Sequence, residues 1–414
     1  MQTVDSLLDD LTGKEFFKGG FDRLIPMAAP FKEWIRQNDL KIITIGGTNG
    51  KGETVYYLEQ FFKVTPLNVV SFSSPHIQSV NERIKFNQKE ISDETFIDLL
   101  EDSYFEIEIF QLSYYELIFL CFLKFAKSKK KVDILLLEVG LGGRLDAVNL
   151  LDTDYAAITS ISRDHQEILG KNLKDILNEK LGIIRNDKFL VTCLEQSSLR
   201  SVVKNKIKNL NIDYFDLFAS DVVKKEDHYK TRNYQVAKAI FNQLSMCTIP
   251  TLEEISPSKG RGELMTLGIR SFIFIGAHNV DGIRKMTQYL STVDSKTCET
   301  KVFDIIVISF SKRTEKEIEQ CLEIILQSPC LCKEVIVTAF SHYKAATKIE
   351  IEDLVKNLIT RNSNYRKRIR FVENFDKLLT EENENNKILV TGSYYFIGEF
   401  QQYLKSSSKG VVSI

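Results

Sequence analysis

The chain has 414 residues, 43% of them hydrophobic and 27% charged, and its 55 Lys and Arg against 56 Asp and Glu leave a net charge of −1. At about 150 residues per domain this is room for two or three domains, each with a full core, and the charge balance excludes a basic body that coats nucleic acid. Seven cysteines without a CxxC pair, a start (Met1 to Asp10) without an apolar signal core, and no run of about 18 apolar residues predict free thiols in a reducing cytoplasm and no membrane span.

Strand and helix alternate along the first half. Lys41–Ile45 reads as a short β-branched strand that ends in glycines, followed by a helix from about Glu53 to Lys63. Val69–Ser73 is a second strand. Ile107–Ala126 is apolar but interrupted by Glu108, Glu116 and Lys124, which predicts a buried helix. Val132–Glu138 and Tyr155–Ile161 are further strands, the first nearly all apolar as in a strand covered on both faces. Leu173–Ile184 reads as a helix and Phe189–Cys193 as a strand. Cys247–Lys259 breaks the pattern with two prolines and little periodicity. This places a first domain at 1–250, a linker at 251–260 and a second domain at 261–414. In the second domain Phe272–Ile275, Phe303–Ser309, Glu334–Thr338, Ile369–Val372 and Lys387–Thr391 read as strands, with helices such as Glu315–Leu326 and Ile351–Ile359 between them. The fold class is α/β: an N-terminal P-loop domain on a mostly parallel sheet, and a smaller C-terminal Rossmann-like domain.

Chemistry-bearing residues follow the strand ends, where open parallel sheets bind their ligands. Gly46-Gly47-Thr48-Asn49-Gly50-Lys51-Gly52-Glu53-Thr54 follows a strand and opens a helix. Glycines there turn backbone N–H groups inward, the helix start adds positive potential, and Lys51 neutralises phosphates. The strict GxxxxGK[ST] spacing is not met, and an ordinary glycine-rich turn has the same look. Ser73-Ser74-Pro75-His76 precedes Glu82-Arg83-Ile84; alone it reads as a turn. Glu138 closes a buried strand ahead of Gly140, Gly142, Gly143 and Asp146, and a carboxylate in that place suits Mg²⁺ on nucleotide phosphates or simply its own loop. Ser160-Ile161-Ser162-Arg163-Asp164-His165 ends another strand and leads to Glu179-Lys180. In the second domain Gly260-Arg261-Gly262-Glu263, Gly276-Ala277-His278-Asn279 and Thr391-Gly392-Ser393 lie at loops or strand ends, where a cation can clamp phosphate or be merely solvated.

Together these strings resemble the folylpolyglutamate synthase and dihydrofolate synthase family, a branch of the Mur ligase superfamily. GTNGKG (47–52), SSPHIQSVNERI (73–84), LEVGLGGRLDAVN (137–149) and ITSISRDHQEILG (158–170) carry the resemblance, which continues through EKLGII, GRGE, GAHN and LVTGSYYFIGE (389–399). It implies ATP-dependent attachment of L-glutamate to a folate, to dihydropteroate, or to both, through an acyl phosphate. It implies a phosphate loop of Gly47, Thr48, Asn49, Gly50, Lys51, Gly52 and Thr54. Ser74 and Glu138 are implied as ligands of one Mg²⁺ and His165 of a second. Lys180 stands where the family carbamoylates a lysine, which requires a neutral amine. Arg261 and His278 resemble nucleotide contacts from the second domain, and Asp146 and Arg23 match the pterin side of the substrate. Domain closure would complete the site and exclude water. The expected partners are small molecules, with no nucleic acid and no membrane, for a cytoplasmic monomer.

The chain departs from the family pattern at four places. Glu53 replaces a serine beside the phosphates, where it either repels them or points along the helix into solvent. Ile275 replaces the aspartate before GAHN, Lys238 stands where an asparagine is usual, and Ser311-Lys312-Arg313 replaces a DKD-like string. The alternative they motivate is a homologue that binds nucleotide or folate without ligating. The short segment ahead of Gly46 is expected to leave no room for the extra N-terminal domain of a cell-wall ligase, and the second α/β domain and the missing strict Walker spacing disfavour a generic P-loop kinase or GTPase.

Overall fold

A computed structural model describes residues 4–12, 20–245, 247–293, 302–328, 330–376, 387–407 and 412–413. The chain divides into two compact units, Met1–Ile255 and Ser256–Ile414.

The first unit is built on β1 (Lys41–Gly46), β2 (Val69–Phe72), β3 (Ile84–Phe86), β4 (Lys89–Glu90), β5 (Ile134–Glu138), β6 (Tyr155–Ile158), β7 (Phe189–Thr192) and β8 (Asp213–Asp216). Their order is β4-β3-β2-β5-β1-β6-β7-β8. All neighbours are parallel except the β2–β3 and β3–β4 pairs. Alternate side chains of each strand feed two cores, as a sheet covered on both faces requires. Ile42, Leu135 and Leu137 pack with Leu117, Phe119 and Phe122 of the helix Tyr114–Ser128. Ile43, Ile45, Ile134 and Leu136 face Val55, Leu58 and Phe61 of the helix Lys51–Phe62, and Val236 and Ile240 of the helix Tyr229–Leu244.

The apolar stretch expected as one buried helix is two. Tyr104–Phe110 ends at Gln111, whose φ of 52° is left-handed, and Tyr114–Ser128 restarts behind a capping box of Ser113 and Glu116. The Leu173 helix stops at Lys180 and continues as a 3₁₀ turn over Leu181–Ile183.

The second unit holds β9 (Arg261–Leu267), β10 (Arg270–Ile275), β11 (Phe303–Ser309), β12 (Cys332–Thr338), β13 (Ile369–Val372), β14 (Lys387–Gly392) and β15 (Val412–Ser413), ordered β13-β12-β11-β14-β10-β9-β15. β9 runs antiparallel to β10 and β15. The Arg261 segment, read from sequence as a loop, is therefore the start of a strand. One face of this sheet packs Ile306, Ile308, Val335 and Val337 on the helix Glu315–Leu326 and its neighbours. On the other, Phe272 and Phe274 meet Phe400 of the helix Tyr394–Ser407.

Six described cysteines are free thiols; Cys298 lies outside the described residues. No described helix is long and apolar enough to cross a membrane.

Candidate active site

β1 sits between β5 and β6, so three strands deliver their loops to one sheet edge. Ile45 is in register with Glu138, and Gly46 with Ile158. The chain after β6 holds the phosphate loop in place. The Thr48 N–H donates to the Ser160 carbonyl (2.8 Å), the Asn49 N–H to the Ser160 hydroxyl (3.0 Å), and the Thr159 hydroxyl to the Asn49 carbonyl (2.7 Å). Gly47 has φ 140° and a Cβ there would lie 2.0 Å from the Thr159 hydroxyl; Gly50 has φ 93° and a Cβ there would lie 2.3 Å from Asn233 Oδ1. Both positions need glycine. Lys51 and Gly52 open the helix, and Lys51 Nζ donates to the Thr48 carbonyl at 3.1 Å.

One sequence expectation changes here. Thr54 is fully buried and braces the loop from behind, its hydroxyl donating to the Gly50 carbonyl at 3.0 Å. Glu53 does not point into solvent. It is 4% exposed and accepts a 2.6 Å hydrogen bond from the Asn233 amide of the helix Tyr229–Leu244. Lys238, the residue singled out on that helix, is exposed; Asn233 is the one beside the loop.

Glu138 ends β5 buried, and its Oε2 accepts the Ser74 N–H at 3.1 Å. Lys180 reaches the same region from the last turn of its helix, buried, with Nζ donating to the Gly47 carbonyl at 2.9 Å. Burial first, and Lys51 second, lower its pKa to about 7, against the pull of Asp164 and Asp146. The segment Gly143–Arg144 closes on this helix: Arg144 N–H donates to the Glu179 carbonyl (2.9 Å), and its guanidinium pairs with the Glu179 carboxylate (2.9 Å).

Asp146 is buried and caps its own loop. Oδ2 accepts from Leu141 N–H (2.9 Å) and Oδ1 from Val148 N–H (3.1 Å). Burial lifts its pKa to about 6, with those N–H groups opposing. The Tyr115 hydroxyl donates to Asp146 Oδ1 at 3.3 Å, and its ring lies against Gly140, where a Cβ would come within 2.8 Å of the hydroxyl. Burial holds the Tyr115 phenol well above its ordinary pKa, with Asp146 adding to the effect. Sequence reasoning missed Tyr115; the signal available was the Ser113–Glu116 capping box, which marks it as a first-turn residue. Arg23, in the 3₁₀ turn Asp22–Leu24, pairs with buried Glu116 at 2.9 Å.

His165 begins the short helix Gln166–Leu169 with φ 49°. Its side chain is 45% exposed, 3.9 Å from Asp164 and 3.6 Å from Glu167. Among the described residues no three His, Cys, Asp or Glu side chains gather as a ready-made metal cage. That does not oppose Mg²⁺, which takes one or two carboxylates and fills its remaining positions with water and phosphate; the carboxylate of Glu138 and the hydroxyl of Ser74 are hard oxygen donors of the required kind.

In the second unit Arg261 Nη1 donates to the Tyr394 hydroxyl at 2.7 Å, and the His278 ring lies 5.7 Å from that of Tyr394. Glu263 Oε2 holds the turn by accepting from Gly260 N–H (3.0 Å) and from the Gln401 amide (2.7 Å). Ser311 and Ser393 share a hydroxyl–hydroxyl contact of 2.9 Å.

A phosphate loop at the edge of a mostly parallel sheet, with a strand-end carboxylate beside it, defines a nucleotide-binding α/β protein. The family model for the Mur ligase middle domain matches residues 45–247, and that for the dihydrofolate synthetase C-terminal domain matches 268–404. The dihydrofolate synthase/folylpolyglutamate synthase of Buchnera aphidicola (subsp. Baizongia pistaciae) is 26% identical over 89% of this chain and 87% of its own length. The dihydrofolate synthetase of Saccharomyces cerevisiae is 26% identical over 88% of this chain and 93% of its own. The Yersinia pestis folylpolyglutamate synthase/dihydrofolate synthase, solved with AMPPNP and a Mn ion, shares the fold with a TM-score of 0.76 at 21% identity, over 97% of this chain and 98% of that one. The chain belongs to the folylpolyglutamate synthase and dihydrofolate synthase family of the Mur ligase superfamily.

Proposed function

We propose that this protein is an ATP-dependent ligase that adds L-glutamate to a folate, to dihydropteroate, or to both. The observation that carries the reading is the convergence of the Gly47–Gly52 loop, buried Glu138 and the Lys180 amine at one sheet edge.

The reaction brings two anions together, the γ-phosphate of ATP and the substrate carboxylate, so positive potential must meet them. Lys51 and the N–H groups that open its helix supply it. Glu138 and Ser74 are the residues that would hold Mg²⁺, and His165 is the candidate ligand of a second ion; bound Mg²⁺ offsets phosphate charge. A carboxylate oxygen bonds to the γ-phosphorus as ADP leaves. The amine of glutamate then attacks the acyl phosphate, loses a proton and expels phosphate, leaving an amide. Lys180, as a neutral amine near pH 7, is the group that takes up CO₂ as a carbamate. Arg23 and Asp146 are assigned to the pterin side, and Arg261 and His278 to the nucleotide. The reading takes the enzyme to be a cytoplasmic monomer with small-molecule partners and no nucleic acid.

The test is ADP release by pure protein with Mg²⁺, ATP and L-glutamate, with dihydropteroate in one arm and tetrahydrofolate in the other. Turnover in one arm or both is expected, and the pair of rates separates a monofunctional from a bifunctional enzyme. Silence in both, with ATP bound, overturns the ligase in favour of a binding homologue.

A further inference from the structure

Arg261 opens β9 and His278 follows β10, and the two strands pair so that Ile275 stands opposite Arg261. Both side chains meet Tyr394. The Arg261 guanidinium donates to the phenol oxygen at 2.7 Å and its carbon lies 5.1 Å from the ring centroid, while the His278 imidazole sits 5.7 Å away at 57°. The phenol ring rests on the backbone of Gly276, where a Cβ would come within 2.2 Å of it. Its root is equally fixed: Gly392, at φ 102°, leaves no room between itself and the Ser309 carbonyl, and Ser393 N–H donates to that carbonyl at 2.9 Å. The residue before GAHN offers Arg261 no polar side chain, because Ile275 is buried and its carbonyl accepts the Thr391 hydroxyl.

We propose that Tyr394 is a positioning residue that holds Arg261, and with it His278, in the orientation that meets the nucleotide. This rests on the assignment of Arg261 to ATP. An arginine side chain loses much rotamer freedom when a ligand fixes it, and a protein group that fixes it beforehand lowers that cost. Tyr394 touches no substrate in this account; it acts through Arg261.

The experiment is steady-state kinetics of Tyr394→Phe, Arg261→Ala and the double variant, with melting temperatures. Phenylalanine keeps the ring on Gly276 and removes only the hydroxyl. Expected is a KM for ATP raised about three- to ten-fold in Tyr394→Phe, with kcat, the KM for the folate substrate and the melting temperature unchanged. In the Arg261→Ala background the same change adds nothing. If Arg261→Ala raises the KM for ATP and Tyr394→Phe does not, the positioning role is wrong and the nucleotide assignment stands. If Arg261→Ala leaves that KM unchanged, both fall. An effect of Tyr394→Phe that persists undiminished without Arg261 also overturns it.

Discussion

The side-chain nitrogen of Lys180 donates to the carbonyl of Gly47 across 2.9 Å, joining residues 133 positions apart. The phosphate loop and the end of the helix Leu173–Lys180 are thereby one structural unit. With its pKa lowered to about 7, Lys180 is substantially neutral at physiological pH, and a neutral amine is the form that adds to CO₂. Exchange with ¹³C-bicarbonate is expected to give a carbamate carbon resonance that Lys180→Ala lacks. The variant should lose turnover by about 10²-fold or more, the scale of losing a group that orients charge in the transition state. A wild-type spectrum identical to that of Lys180→Ala would refute the modification.

The same lysine sets a pH dependence of stability. Unfolded, it titrates near the ordinary 10.5; folded, near 7. Between those values the unfolded chain binds more protons, so this group's contribution to stability rises with pH from about 7 to 10.5, and its full cost is present below 7. Lys180→Met removes the dependence. Unfolding free energies of the two proteins should therefore converge as pH rises through this window; parallel curves would contradict the lowered pKa.

Asp146 has the opposite sign. Its pKa is raised from 3.8 to about 6, so the folded protein binds the extra proton and stability falls as pH rises between those values, then levels. Its assignment to the pterin side adds a kinetic consequence. The carboxylate that accepts N–H donors is lost below about pH 6, so the KM for the pterin substrate should climb as pH drops from 7 to 5. Asp146→Asn should show a flat profile, and a stability lower by about 1 kcal/mol because one backbone N–H loses its charged acceptor. A wild-type KM indifferent to pH across that range removes Asp146 from substrate binding.

The readable parts of this molecule were those in which local pattern and tertiary role coincide. The strand Ile134–Glu138 is apolar because both its faces are covered, and it ends on the carboxylate that stands beside Ser74. The phosphate loop was legible because its glycines, at φ 140° and 93°, are needed for the turn itself. The β3–β4 hairpin was not, since strands of three and two residues at a sheet edge carry almost no periodicity. Nor was β9, whose Arg-Gly-Glu start reads as a turn until β10 pairs with it. Tyr115 lay hidden in a stretch whose apolar content concealed a helix break at Gln111. Asn233 was invisible because what gives it meaning is a residue 180 positions earlier.

That residue, Glu53, carries the last prediction. Its carboxylate lies in the first turn of the helix that opens behind the phosphate loop, a place a helix dipole favours for an anion. If ATP phosphates occupy the loop, they compete for the same potential, and each unit of like charge within about 8–10 Å costs roughly 2 kcal/mol at an effective dielectric near 20. Glu53→Gln keeps an oxygen for the Asn233 amide and removes the charge. It should bind ATP about ten-fold more tightly at unchanged melting temperature. Glu53→Ser should gain the same affinity but lose about 1 kcal/mol of stability, because the buried Asn233 amide is left without that acceptor. Titration calorimetry with ATP decides it. If the glutamine variant binds ATP no better than the parent, the hydrogen bond to Asn233 has already carried the carboxylate out of reach of the phosphates, and Glu53 is a brace for the Gly50 turn rather than a brake on nucleotide binding.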